Sequence, residues 1–167
     1  MTPTRLSIVD TALGDLVVSL QDAGVHGVLL SGGPAEVGRH LAACGAVDVL
    51  ELFCHGQAGA LHLGAQRWDA EAVLRQAAAF RPWTGHLKPG AAIHLHACRA
   101  GAGEAGAALI YALASVTGAT VCAASHDLGR SDDGSEHWQL DRQAGQPGPH
   151  QPRSLAGVAG RLVILSG

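Results

Sequence analysis

Short unbroken apolar runs alternate along this chain with stretches in which apolar residues recur every three or four positions. The first pattern suits strands buried on both faces, and the second suits helices packed on them. Leu6-Ser7-Ile8-Val9-Asp10 predicts a first strand, and Asp10 or Thr11 caps a helix carrying Leu13, Val17 and Leu20 on one face. Val25 to Leu30 predicts a second strand. Gly33-Pro34 opens a helix with proline in a permitted first-turn position and Val37, Leu41 and Cys44 aligned. Val47 to Cys54 is a long third strand that ends at His55-Gly56. Gln57-Ala58-Gly59 reads as a turn, and the chain from Ala60 to Trp68 as a short hairpin. Asp69 caps a helix with Val73, Ala77 and Phe80 in register. Lys88-Pro89-Gly90 is a turn before a fourth strand, Ala91 to Ala97. A helix from about Gly103 aligns Leu109, Leu113 and Val116, and Thr120 to Ala124 is a fifth strand.

The pattern then changes. Ser125 to Glu136 is polar and acidic and reads as an exposed loop. His137 to Leu140 is a short strand candidate, and Arg142 to Arg153, rich in Gln, Pro and Gly, reads as mobile. Arg161 to Leu165 is a candidate last strand. The division is therefore a domain over 1–142 and a Pro/Gly/Gln-rich segment with a terminal strand over 143–167. The order of elements predicts an α/β fold: a three-layer α-β-α sandwich around a mainly parallel sheet of about six strands. In such open sheets, sites form beyond the carboxyl ends of the strands. His55 and Cys98 both fall there.

Composition narrows the function classes. The 167 residues suit one domain, and 47% apolar residues supply a sizeable core. Aromatics make up only 4%, which argues against a stacking platform for single-stranded nucleic acid. The net charge is −3 with no run of Lys or Arg, so a duplex-binding surface is not expected. Cys44, Cys54, Cys98 and Cys122 match neither a CxxC zinc pattern nor a dense disulfide framework. Cys44, Cys54 and Cys122 lie in apolar stretches and read as small core residues. There is no basic-then-apolar leader pattern, and no apolar run approaches the roughly 18 residues of a membrane span. The expectation is a soluble, cytoplasmic protein without cofactor or metal.

The chemistry converges on Cys98 and His55. A histidine partner or a helix N-terminus lowers a thiol's pKa and supplies the nucleophilic thiolate, and Cys98 precedes a helix. His55 would take the thiol proton and return it to the leaving amine. The amides of Gly56 and Cys98 are candidates for the oxyanion hole, and glycine at 56 lets backbone approach a substrate. The expected partner is a peptide or protein substrate, including the chain itself, with no nucleic acid or membrane. The bland reading makes Cys98 a core thiol and His55 a strand-end histidine.

The segment His96-Ala97-Cys98-Arg99-Ala100-Gly101 resembles the Gln-Ala-Cys-Arg-Gly signature of caspases, with His for Gln and one extra Ala before the Gly. Phe53-Cys54-His55-Gly56 resembles the Ser-His-Gly of the same clan. More closely, residues from about 5 to 142 resemble the DUF4347 domain, a bacterial caspase-like family found in many large exported adhesin-like proteins. The resemblance runs through His55-Gly56-Gln57-Ala58-Gly59-Ala60-Leu61-His62-Leu63-Gly64, then Cys98, Gly101, Gly106 and the Trp138-x-Leu pattern. It implies a caspase-hemoglobinase fold with His55 as base, Cys98 as nucleophile, and the Gly56 and Cys98 amides as oxyanion hole. It places His96 where caspases carry a substrate-pocket Gln, and it transfers no aspartate specificity. Asp127, Asp132 and Asp133 follow the fifth strand and form either an acidic pocket for a basic side chain or a solvated loop. In the first case Arg130, Arg142 and Arg153 become self-cleavage points.

Three rival readings remain. Gly101-Ala102-Gly103-Glu104-Ala105-Gly106 fits the dinucleotide fingerprint, although Cys98-Arg99-Ala100 lengthens a turn that should be tight and Glu104 would repel a pyrophosphate. His94, His96 and Cys98 share one strand face and, with Cys54 or His55, suit an open zinc site. The third is a catalytically silent caspase-like module that binds a partner or serves export.

Overall fold

The computed structural model describes residues 2–130, 133–153 and 155. Arg161 to Leu165, the expected last strand, and Asp132 lie outside the described residues. The chain forms β1 (Arg5–Asp10), a 3₁₀ turn (Thr11–Leu13), α1 (Leu16–Asp22), β2 (Val28–Leu30), α2 (Pro34–Cys44) and β3 (Val47–Phe53). A small antiparallel sheet follows: β4 (His55–Gln57), β5 (Ala60–Leu63) and β6 (Gln66–Asp69). Then come α3 (Ala70–Arg75), α4 (Ala77–Phe80), a 3₁₀ segment (Arg81–His86), β7 (Leu87–His96), α5 (Gly103–Thr117) and β8 (Thr120–Ala123). The last elements among the described residues are β9 (Gly129–Arg130), β10 (Glu136–His137) and β11 (Arg142–Ala144).

The main sheet has six strands in the order β11-β8-β7-β3-β1-β2, all parallel except β11. Side chains on a strand alternate between faces, so the two faces can be read from the register. Leu6 and Ile8 of β1, Leu50 and Leu52 of β3, Ile93 and Leu95 of β7 and Val121 of β8 face one way. They join one core with Val37 and Leu41 of α2, Val73 of α3, Phe80 of α4, and Leu109 and Leu113 of α5. The other face carries Ser7, Val9, Glu51, Phe53, His94 and His96. Val9 and Phe53 pack there with Leu13, Leu20, Val25, Leu128, Trp138 and Leu155. Helix α1 lies on the second face together with the segments carrying Leu128, Trp138 and Leu155, and the expected sandwich of helix, sheet and helix is present. The switch between crossovers puts β2 and β3 on opposite sides of β1, which opens a crevice at the carboxyl ends of β1 and β3.

Several expected elements are corrected. The helix after Asp10 is interrupted at Gly14, whose φ of +58° does not fit a right-handed helix. The cap itself holds, since Asp10 accepts a hydrogen bond from the Ala12 amide at 2.7 Å. The helix capped by Asp69 breaks at Gln76 and gives way at Arg81-Pro82 to 3₁₀ geometry, where proline removes a backbone donor. Lys88-Pro89-Gly90 is not a turn before the strand but an irregularity inside β7, opposite a register shift between Val47 and Val49. Arg142 to Arg153, expected to be mobile, is tied down. Its first residues form β11 on β8, Thr120 Oγ donates to the Gln146 carbonyl, and His150 stands 3.7 Å from Asp48. Cys44, expected in the core, is exposed, whereas Cys54 and Cys122 are buried.

The small sheet is fixed on the main one by Gly64. Its amide donates to the buried Asp10 carboxylate at 2.6 Å, its φ is +64°, and a Cβ built there would stand 1.4 Å from the Gly32 carbonyl oxygen. Asp10 therefore caps the turn after β1 and holds the tip of the β5–β6 hairpin over the same strand end. Gly64→Ala should lose on the order of 2–4 kcal/mol from positive φ together with backbone overlap. The urea unfolding midpoint would measure this, and an unchanged midpoint would refute the role given to Gly64.

Candidate active site at the ends of β3 and β7

The parallel pairing of β3 with β7 runs Leu52↔Leu95 and Phe53↔His96. The Cys54 amide continues it by donating to the His96 carbonyl at 3.2 Å. One residue later, at His55, the chain leaves the main sheet to form β4. Two residues past His96 stands Cys98, and there β7 also ends in a sharp turn. Arg99 adopts φ +57°, rare for a side chain larger than glycine. It is held there by its amide on the His126 carbonyl at 3.0 Å and its guanidinium on Asp127 at 2.9 Å. The His55-Gly56 and Ala97-Cys98 backbones touch, since a Cβ on Gly56 would stand 2.7 Å from the Cys98 carbonyl oxygen and 2.8 Å from Ala97 Cβ. Glycine at 56 is required by this approach.

His55 is half-buried, and its Nε2 lies 3.3 Å from the Ala12 carbonyl oxygen just past β1. A carbonyl only accepts, so this contact places the proton on Nε2 and leaves Nδ1 as the lone-pair nitrogen. Nδ1 is buried and has no hydrogen-bond partner among the described residues. Cys98 is 1% exposed, and its sulfur is turned to the backbone of Leu128, whose amide donates to Sγ at 3.1 Å and whose carbonyl lies 3.6 Å away. Phe53, Leu128, Trp138 and Leu155 belong to the apolar cluster around it. Burial pushes the Cys54 and Cys122 thiols up, so neither supplies a thiolate near neutral pH.

Two of the acidic residues that follow the fifth strand have described partners. Asp127 pairs with Arg99 in an exposed ion pair, and Asp133 accepts from the amide and hydroxyl of Ser135. The acid that does lie by His96 is Glu51, which is fully buried. Its Oε1 accepts from Ser7 Oγ at 2.7 Å, and its Oε2 accepts from Arg5 at 3.1 Å and from Arg153 Nε at 2.8 Å. His96 is also fully buried, stacks on Phe53 with ring centroids 4.4 Å apart, and points Nε2 at Glu51 from 3.6 Å. Burial alone would raise the Glu51 pKa, but the facing His96 and the bonds from Ser7 and Arg153 outweigh it and bring the carboxyl down to about 2. Burial lowers the pKa of His96, and Arg5 and Arg153 bring two guanidinium charges to Glu51.

Among the described residues one group could offer three metal ligands, and it is Glu51, His94 and His96 rather than a set with Cys98. The Glu51 oxygens are already bonded by a hydroxyl and two guanidiniums, and that positive surrounding opposes a divalent cation. Backbone amides at the start of the dinucleotide fingerprint and just before it already have partners. Those of Arg99, Gly101 and Ala102 donate to the carbonyls of His126, Ala124 and Arg99. Gly106 is glycine because a Cβ there would stand 2.0 Å from the Gly101 carbonyl carbon, a packing reason with no phosphate involved.

The fold and site thus define an α/β protein with a thiol and an imidazole at neighbouring strand ends. The chain belongs to the family described as "Domain of unknown function (DUF4347)", whose model matches residues 7–158. No curated protein and no solved structure matches the chain. Among the described residues no helix is long and apolar enough to cross a membrane.

Burial lowers the pKa of His94 to about 4, with the neighbouring His96 adding to the effect. The unfolded chain takes that proton near pH 6.5. The folded state therefore binds fewer protons below that pH, and stability falls as pH drops from about 6.5 toward 4, by on the order of 3 kcal/mol for this residue. Urea midpoints measured between pH 7.5 and 4.5 should decline, and His94→Gln should flatten the decline. Parallel curves for the two proteins would exclude His94 as a source.

Proposed function

We propose that this domain is a cysteine peptidase with a Cys98–His55 dyad. The observation that carries the reading is the state of His55: Nε2 is pinned on the Ala12 carbonyl while Nδ1 is buried and unpartnered, beside the backbone contact of Gly56 with Cys98. A carbonyl behind the imidazole does the orienting work that a carboxylate does in other triads. The thiol proton passes to His55 Nδ1, and the thiolate attacks the scissile carbonyl carbon, forming the C–S bond. The negative charge on the former carbonyl oxygen is taken by the amides of Gly56 and Cys98. Collapse breaks the C–N bond, and His55 protonates the departing amine. Water, deprotonated by His55, then attacks the thioester and releases the acid product, restoring the thiol. The N-terminus of α5, five residues beyond Cys98 in sequence at Gly103, favours the thiolate.

The substrate is then a peptide or protein chain, the protein's own chain included, and the working compartment a reducing one such as the cytoplasm. With Cys98 held by Leu128 and covered by apolar side chains, the described arrangement is a resting one. Turnover requires the loop around 124–128 to move by enough to free Sγ. That same closure is the specific observation favouring a second reading, a caspase-like module that binds partners without cleaving them.

A thiol-reactive peptide electrophile separates the two. In a Cys44→Ser background, which removes the exposed thiol, Cys98 should be labelled faster than Cys54 and Cys122. His55→Ala should slow that labelling by about 10²-fold or more, the scale of general-base catalysis. Labelling of Cys98 that ignores His55, in folded protein, would leave only the binding module.

A further inference from the structure

Glu51 is a buried carboxylate that the catalytic steps do not use. Two of its donors, Ser7 and Arg5, come from β1, which pairs with β3 along its length, so they are built into the sheet. The third, Arg153, arrives from 102 residues away on a tail that crosses the second face of the sheet. Its guanidinium is at the surface end of the contact, with a quarter of the side chain exposed. Two residues on, Leu155 is 1% exposed and enters the apolar cluster that holds Cys98, Phe53 and Trp138. Open space lies beside the tail in two places: a cavity of about 480 Å³ lined by Trp138 and Arg153 among others, and one of about 460 Å³ lined by Arg5 and His150 among others. The tail therefore borders open space at both places.

We propose that Glu51 is a recognition carboxylate for a peptide arginine, and that Arg153 and Leu155 occupy its site in cis. The ligand class is an extended segment of the form Arg-x-apolar. The arginine reaches Glu51, and the apolar residue fills the cluster beside Cys98. Arginine is selected because a buried carboxylate demands a donor that stays charged, and a planar guanidinium satisfies it in a fixed fork where an ammonium does not. A site built around such a bond strongly rejects a ligand that lacks it, because the carboxylate would remain buried with one donor fewer. The proposal deepens the peptidase reading by naming its substrate class, and the site is closed in the resting chain because its own tail fills it.

The test uses the full chain carrying Cys98→Ala, so that binding is read without turnover, and the blocked peptide acetyl-Arg-Ser-Leu-amide as probe in calorimetry. Arg153→Ala should raise affinity for the probe at least tenfold over the parent, and Arg153→Gln should do the same. A probe with norleucine in place of arginine should gain nothing, and adding Glu51→Gln should abolish the gain. Equal binding by the parent and both Arg153 variants overturns the proposal, as does equal binding of the norleucine probe. Circular dichroism monitors the fold. Unfolding of both Arg153 variants also overturns it, because Arg153 would then be a structural anchor rather than a displaceable occupant. If the arginine probe binds as expected but wild-type Cys98 protein with Arg153→Ala never cleaves an arginine peptide, the recognition site stands and only the peptidase reading falls.

Discussion

Everything at the site depends on the parallel pairing of β3 with β7. Parallel strands end on the same side of a sheet, so two residues far apart in sequence leave the ladder side by side. Phe53↔His96 is the last register pair, and the Cys54 amide on the His96 carbonyl extends it by one bond. Both chains then turn away from the sheet, one into β4 and the other through the left-handed Arg99. Gly56 and Ala97 are small enough for the two turns to touch. A slip of one residue in this ladder would send His96 and Phe53 to the opposite face and separate the turns. The apolar pairs Leu50↔Ile93 and Leu52↔Leu95 hold the register, because a slip would turn them out of the core.

The two sheet faces carry different burdens. One is an ordinary apolar core, closed by four helices. The other is divided: Val9 and Phe53 join an apolar cluster with Leu20, Leu128 and Trp138, while Ser7, Glu51, His94 and His96 form a polar strip along the middle of the sheet. A carboxylate in that position is tolerable only with donors on it, and losing one partner of such a buried pair costs about 3–5 kcal/mol. The chain meets the requirement from both ends of its sequence, with Arg5 at the start and Arg153 near the end. That is why the Pro- and Gly-rich tail, which has little apolar surface of its own, is held in one path.

Much of this architecture was legible in the sequence. Apolar runs marked β1, β3, β7 and β8, and the strand-mouth positions of His55 and Cys98 followed from them. What escaped was nonlocal or lay in the backbone. Gly14 and Gln76 break helices whose side-chain periodicity continues across them, so periodicity alone overextends both. The strand β11 sits in a segment whose composition suggests a loop, and its pairing comes from β8, not from its own residues. Glu51 left a signal, an acid in the middle of an apolar strand opposite two histidines of another. Its meaning depended on Arg5 and Arg153, which no spacing connects. The Ala12 carbonyl and the Leu128 backbone left no trace, because backbone groups are the same at every position.

The catalytic reading and the closed state are compatible on physical grounds. A reactive thiol is a hazard if open to any electrophile, and the described arrangement covers Cys98 twice. The Leu128 amide and carbonyl engage Sγ directly, and Leu128, Trp138 and Leu155 keep water from it. The second shield is joined to the first through Arg153, since the residue that satisfies Glu51 is two positions from the one that enters the cluster. Displacing the arginine would free both Glu51 and the path of Leu155, so an incoming chain that supplied its own guanidinium would open the cluster as it bound. Binding and exposure of Cys98 would then be one event, driven by replacement of an intramolecular ion pair with an equivalent intermolecular one. Its net electrostatic cost would be small, because the number of donors on the buried carboxylate stays the same.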